Sequence, residues 1–163
     1  MTRLRFRPGL FPASIAVALL LGLMPFPDAI VGFKPYWLAL VLCYWLLEAP
    51  ERAGLGVAFA LGLLGDLVYG TLLGEQALRL TVLAFITLRF RARIRFFPLW
   101  QQALAVLALL LNDRIVVMMI RGFSGEGAPP IQFWYSPLVG TALWPWLFLL
   151  LDELRLKLRE RSQ

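Results

Sequence analysis

Of the chain's 163 residues 60% are hydrophobic and the mean hydropathy is +0.75, so its apolar stretches exceed what one small water-soluble core can bury. With no His and a single Cys, Cys43, a disulfide within the chain is impossible, and His metal sites, His general bases and Cys–His nucleophilic pairs are excluded. The formal charge of +6 gathers in basic blocks beside apolar runs, which makes membrane lipid the implied partner rather than nucleic acid.

These properties predict an all-α polytopic membrane protein, a single integral domain over residues 1–163 folded as a six-helix transmembrane bundle. Hydropathy places the spans at about 10–24, 36–47, 53–73, 77–88, 98–120 and 135–151. The first follows Arg3, Arg5 and Arg7 and ends in MPFPD without a small-x-small cleavage signal, so it is expected to be a retained helix. The second and fourth fall short of the roughly 20 residues a bilayer requires; they either extend into their flanks or are partly re-entrant. Cys43, inside the second, reads as a small hydrophobe. Glu48 and Glu51 bracket Pro50 and read as solvated loop charges.

The third span, GLGVAFALGLLGDLVYGTLLG, carries Gly54, Ala58, Gly62, Asp66, Gly70 and Gly74 at every fourth position. Small residues at that spacing let helix backbones approach closely, and the partner helix belongs either to this chain or to another protein. Each four-residue step drifts by about 40°, so one straight partner does not cover the whole stripe.

Beyond the turn TLLGEQ the fourth span contains Arg79, and Arg89, Arg91, Arg93 and Arg95 follow it as a basic loop. The fifth span contains Asn112, Asp113 and Arg114. The connection 122–137 ends in Phe133, Trp134 and Tyr135, which read as an interfacial anchor for the last helix or as a partner-binding loop. Arg155, Lys157, Arg159 and Arg161 close the chain. With both termini inside, only Lys34 and Arg121 fall in outer loops; Arg3, Arg5, Arg7, Arg52, the four-arginine loop and the C-terminal cations fall inside.

An unpaired Asp at the centre of a bilayer costs about 2.5–3.5 kcal/mol, so Asp66, Arg79, Asn112, Asp113 and Arg114 are expected to meet inside the bundle. A rise of ~1.5 Å per residue puts Asp66 about 20 Å from Arg52, Arg79 about 15 Å from Arg89 and Arg114 about 28 Å from Arg95, all in the outer half. Asp66 is expected to pair with Arg79, with Arg114 as the competing partner. Such a pair serves either packing and registry or a substrate or proton site. No GxxxxGK[ST], GxSxG or HExxH occurs, and no acid pair sits in a polar loop, so neither an enzyme nor a cofactor or metal site is expected.

Three stretches, FKPYW (33–37), YWLLEAPERAGLGVAFALGLLGDLVYGTLLGEQAL (44–78) and FFPLWQQ (96–102), together closely resemble the rod shape-determining MreD family over nearly the whole chain. Pro35, Tyr44, Trp45, Pro50, Gly54, Gly56, Phe59, Gly62, Asp66, Gly70, Gly74 and Pro98 match positions of the family pattern. The resemblance implies a noncatalytic inner-membrane component of the bacterial elongation complex. It would bind MreC directly, and through it MreB, RodA and a class B penicillin-binding protein, in support of cell shape and lateral peptidoglycan synthesis. The family is also similar in fold to the substrate-binding subunits of energy-coupling factor transporters. That likeness supplies an alternative, a vitamin-type transporter subunit with the polar cluster as its outer pocket, although SGEG is the only outer segment suited to hydrogen-bond a ligand.

Overall fold

The computed structural model describes residues 10–25, 27, 33–50, 53–71, 73–125, 127 and 131–160. Of the residues read as anchors or loop charges, Arg3, Arg5, Arg7, Glu51, Arg52 and Arg161 lie outside them. Six α-helices occur among the described residues: α1 (Leu10–Leu23), α2 (Trp37–Glu48), α3 (Leu55–Tyr69), α4 (Glu75–Phe96), α5 (Leu99–Phe123) and α6 (Tyr135–Glu160). A 3-10 turn, Ile131–Trp134, leads into α6. Each predicted span corresponds to one helix, and no strand occurs among the described residues.

Helix α2 is only 12 residues, about 18 Å, long, yet each of residues 38–47 is 5% exposed or less. A helix that is apolar all round belongs in an interior, and α2 packs against α1, α4 and α6. Its shortness follows from that position: protein, not lipid, shelters its ends. Arg91 Nε donates to the Leu47 carbonyl at 2.9 Å and so satisfies one acceptor of its last turn.

Helix α4 corrects the expectation of a short span followed by a basic loop. It runs 22 residues, about 33 Å, and the four arginines form its last two turns. Arginine is a good helix former, and Arg93 and Arg95 sit in the last turn, where positive charge offsets the negative end of the helix dipole. Pro98 then stops the helix and caps α5. Helix α6 likewise continues past residue 151 to Glu160 and contains Pro145.

Helices α5 and α6 are long and apolar enough to cross a membrane. Large apolar side chains cover the outside, with Leu67 74%, Trp100 64% and Phe123 92% exposed. Surfaces of that kind suit lipid and are costly in water.

The most extensive helix contact is α3 against α4. The buried residues of α3 are Ala58, Gly62, Gly65 and Asp66, which share one face at four- and three-residue steps. A Cβ at Gly62 would overlap the backbone of Ala77, and one at Gly65 would lie 2.6 Å from Gln76 Oε1. The predicted every-fourth stripe is therefore corrected. A Cβ at Gly54 would meet nothing within 4 Å, and Gly70 and Gly74 lie beyond the helix, in turn conformations with φ of 70° and 100°. The drift of the four-residue step is the cause: the contact face passes from Gly62 to Gly65 and Asp66.

Substituting Gly62→Leu forces a side chain into the Ala77 backbone, and such overpacking costs about 1–3 kcal/mol or more. Thermal unfolding in detergent is expected to show a clear loss for this variant and none for Gly56→Ala, whose added Cβ would also meet nothing within 4 Å. Equal behaviour of the two would place the close contact elsewhere.

Candidate functional site

Asp66 lies one turn before the end of α3 and is 2% exposed. The left-handed glycines 70 and 74 turn the chain back so that the start of α4 comes over it. Its carboxylate accepts hydrogen bonds from Thr71 Oγ1 at 2.6 Å, Gly74 N at 2.8 Å and Gln76 N at 2.9 Å. Gly74 is the N-cap of α4 and Gln76 its second residue, and N–H groups there have no acceptor within their own helix. A negative charge at this point also offsets the positive end of the α4 dipole.

Asp66 is thus a capping acid that α3 supplies to α4. The expected pairing with Arg79 does not form. Both carboxylate oxygens are already engaged, and Arg79, about one turn further along α4, reaches α5 instead. Its Nε donates to Asp113 Oδ1 at 2.9 Å and its Nη2 to Asp113 Oδ2 at 2.8 Å. The two side chains are 11% and 3% exposed, so this is a nearly buried, two-pronged ion pair.

The Arg79 guanidinium also lies 4.3 Å from the centre of the Tyr36 ring, and the Tyr36 hydroxyl donates to Gln76 Oε1 at 3.0 Å. Asp66, Gln76, Tyr36, Arg79 and Asp113 therefore form one connected network that joins α3, α4, α5 and the start of α2.

Asn112 stands apart from it, and Arg114 borders it, lining a pocket with Tyr36, Gln76 and Arg79. Successive helical residues point about 100° apart, so 112, 113 and 114 face three directions. Asn112 lines a cavity of about 430 Å³ between α4 and α5 together with Arg93. Arg114 lies over the Phe133 ring at 4.5 Å, and Arg121 approaches the same ring at 5.2 Å. Phe133 is buried beneath these cations, which corrects its reading as an interfacial anchor.

At the arginine-rich end a second network corrects the reading of Glu48. This residue ends α2, and Arg155 Nη2 of α6 donates to it at 3.3 Å and to Asp152 Oδ1 at 3.1 Å. The Tyr44 hydroxyl donates to Asp152 as well, at 3.3 Å. Two buried amides, one of them in the first network, were not singled out in the sequence. Buried Gln76 is one; buried Gln102, which accepts from Trp144 Nε1 at 3.1 Å, is another. The available signal was an amide beside an apolar run, since such a group requires a partner once buried.

Asp113→Asn leaves Arg79 without its counter-charge, and breaking a buried pair costs about 3–5 kcal/mol. Thermal unfolding is expected to show a large loss for this variant and for Arg79→Leu, with much of it recovered in the Arg79→Leu/Asp113→Leu double variant. Additive losses in the double variant would contradict the pairing.

A family model described as rod shape-determining protein MreD matches residues 5–154. The rod shape-determining protein MreD of Haemophilus influenzae is 35% identical over 147 residues, 88% of each chain. No solved structure matches the chain, so the expected likeness to energy-coupling factor subunits finds no support from that comparison. The family match and the relative each cover most of the sequence, and the chain belongs to the MreD family of rod shape-determining proteins.

Proposed function

We propose that this chain is a noncatalytic, single-domain, multi-pass component of the bacterial inner membrane that serves rod-shape determination by binding MreC. The family match carries this reading: residues 5–154 include all of α1 to α5 and most of α6, so the role in shape attaches to the bundle as a whole. In this reading both termini lie in the cytoplasm. Arg89, Arg91, Arg93 and Arg95 lie at the same end as Arg155 and Lys157, as the positive-inside rule requires.

An apolar groove of about 450 Å³ between α1 and α6 supports a seat for the transmembrane helix of MreC. Val17, Leu21, Val41, Trp146, Leu150 and Leu154 line it, and α2 forms its floor. Within lipid, helix association rests on close packing, which a preformed groove favours. Through MreC the bundle connects with MreB, RodA and a class B penicillin-binding protein, and so with lateral peptidoglycan synthesis.

Purification from native membranes in mild detergent, followed by mass spectrometry, is expected to recover MreC and no vitamin. Recovery of an ATPase module with a bound vitamin would overturn the reading in favour of a transporter subunit.

Cys43 is fully buried, so introduced cysteines report cleanly. Val17→Cys and Leu150→Cys are expected to crosslink to MreC, whereas Phe85→Cys, exposed on α4, is not. Crosslinking from Phe85→Cys alone would exclude the groove.

A further inference from the structure

Between α4 and α5, on the arginine-bearing half of the bundle, lies a groove of about 430 Å³. Ile86, Phe90, Ile94 and Phe97 form its α4 wall, at the four- and three-residue steps that share one helix face. Ala105, Ala108 and Leu109 form its α5 wall, and the short alanine side chains leave the space open. From Ile86 to Phe97 the α4 wall is about 16 Å long. That is close to half of a hydrocarbon core about 30 Å thick, the depth of one leaflet.

Arg93 borders the groove as well. It is exposed and lies in the last turn of α4, and Trp100, at the start of α5, is 64% exposed at the same end. An exposed tryptophan at a helix end marks the headgroup level, and a long arginine side chain reaches that level while its stem stays in the apolar layer. The groove therefore begins at a cation near the interface and extends inward to Ile86 and Asn112. The α1–α6 groove, by contrast, is lined by apolar residues and Ser14.

In a membrane an apolar groove does not stand empty, because a gap forfeits dispersion contacts along both walls. A lipid tail fills it, and the guanidinium at its mouth selects the headgroup, since its planar fork matches a phosphate. Basic pockets between transmembrane helices on the cytoplasmic side suit anionic headgroups for this reason. We propose that the α4–α5 groove is a binding site for one anionic phospholipid, with an acyl chain between Phe90 and Ala108 and the phosphate at Arg93. The assignment to the cytoplasmic leaflet rests on the membrane placement proposed above; the pairing of tail and phosphate does not.

The test uses the full chain in maltoside micelles, with phosphatidylglycerol or phosphatidylcholine of the same acyl chains added and retained lipid read by native mass spectrometry. Wild type is expected to retain one phosphatidylglycerol in preference to phosphatidylcholine. Arg93→Gln is expected to weaken retention by about fivefold, the scale of one basic group acting on an anionic lipid. Arg95→Gln, two residues away and outside the groove lining, is expected to leave it unchanged. Ala108→Phe, at an exposed position that bears a larger side chain, is expected to weaken it severalfold by filling the groove.

Equal retention of the two lipids overturns the proposal, as does equal weakening by Arg93→Gln and Arg95→Gln, which would mean diffuse attraction to the basic end. Wild-type retention by either Arg93→Gln or Ala108→Phe overturns it too, so each variant is decisive by itself. A disulfide from Ala108→Cys to another protein in native membranes would give the groove to a transmembrane helix, and the proposal would fall. The lipid measurements do not involve MreC, so their failure is distinct from failure of the scaffold reading.

Discussion

The N–H groups at the start of α4, partly buried at Gly74 and buried at Gln76, require an acceptor, and the carboxylate of Asp66 provides it. Much of the architecture at this end of the bundle depends on this contact. It closes the α3–α4 turn, which sets the register in which Gly62 and Gly65 of α3 meet Ala77 and Gln76 of α4. With its N–H held by Asp66, Gln76 presents its side chain to Tyr36 at the head of α2. One turn further on, Arg79 points to Asp113 and brings α5 into the same arrangement.

The charged contacts lie at the two ends of the bundle, and the interior of α2 between them is apolar. At one end Arg79 and Asp113 join α4 to α5; at the other, Glu48, Asp152 and Arg155 join α2 to α6. In lipid the apolar effect does not hold helices together, so small residues and polar contacts decide which helices touch and in what register. A bundle fixed at both ends presents constant outer faces. That is the property the proposed scaffold role requires.

The helix count and the inward placement of the charged residues within the spans were legible in the sequence, because hydropathy and the cost of charge in lipid are local properties. The pairing of Asp66 was not. It depends on the left-handed turns at Gly70 and Gly74, which bring backbone donors to the acid before any side chain reaches it. Arg89 to Arg95 read as a loop because their charge outweighed their helix propensity in a hydropathy scan; Pro98 was the more reliable boundary. Asn112, Asp113 and Arg114 looked like one cluster because they are adjacent, although helical rotation turns Asn112 away to another cavity and gives Asp113 and Arg114 different contacts.

The central claim is that Asp66 is a structural cap whose carboxylate holds the first N–H groups of α4. Hydrogen exchange read by mass spectrometry, comparing wild type with Asp66→Ala in the same micelles, tests it most directly. Capping predicts that the amides of Gly74 and Gln76 are protected in wild type and exchange rapidly in the variant, while the interior of α5 keeps its protection. Unchanged exchange at Gly74 and Gln76 would contradict it, and the carboxylate would then have to act on something other than the α3–α4 turn.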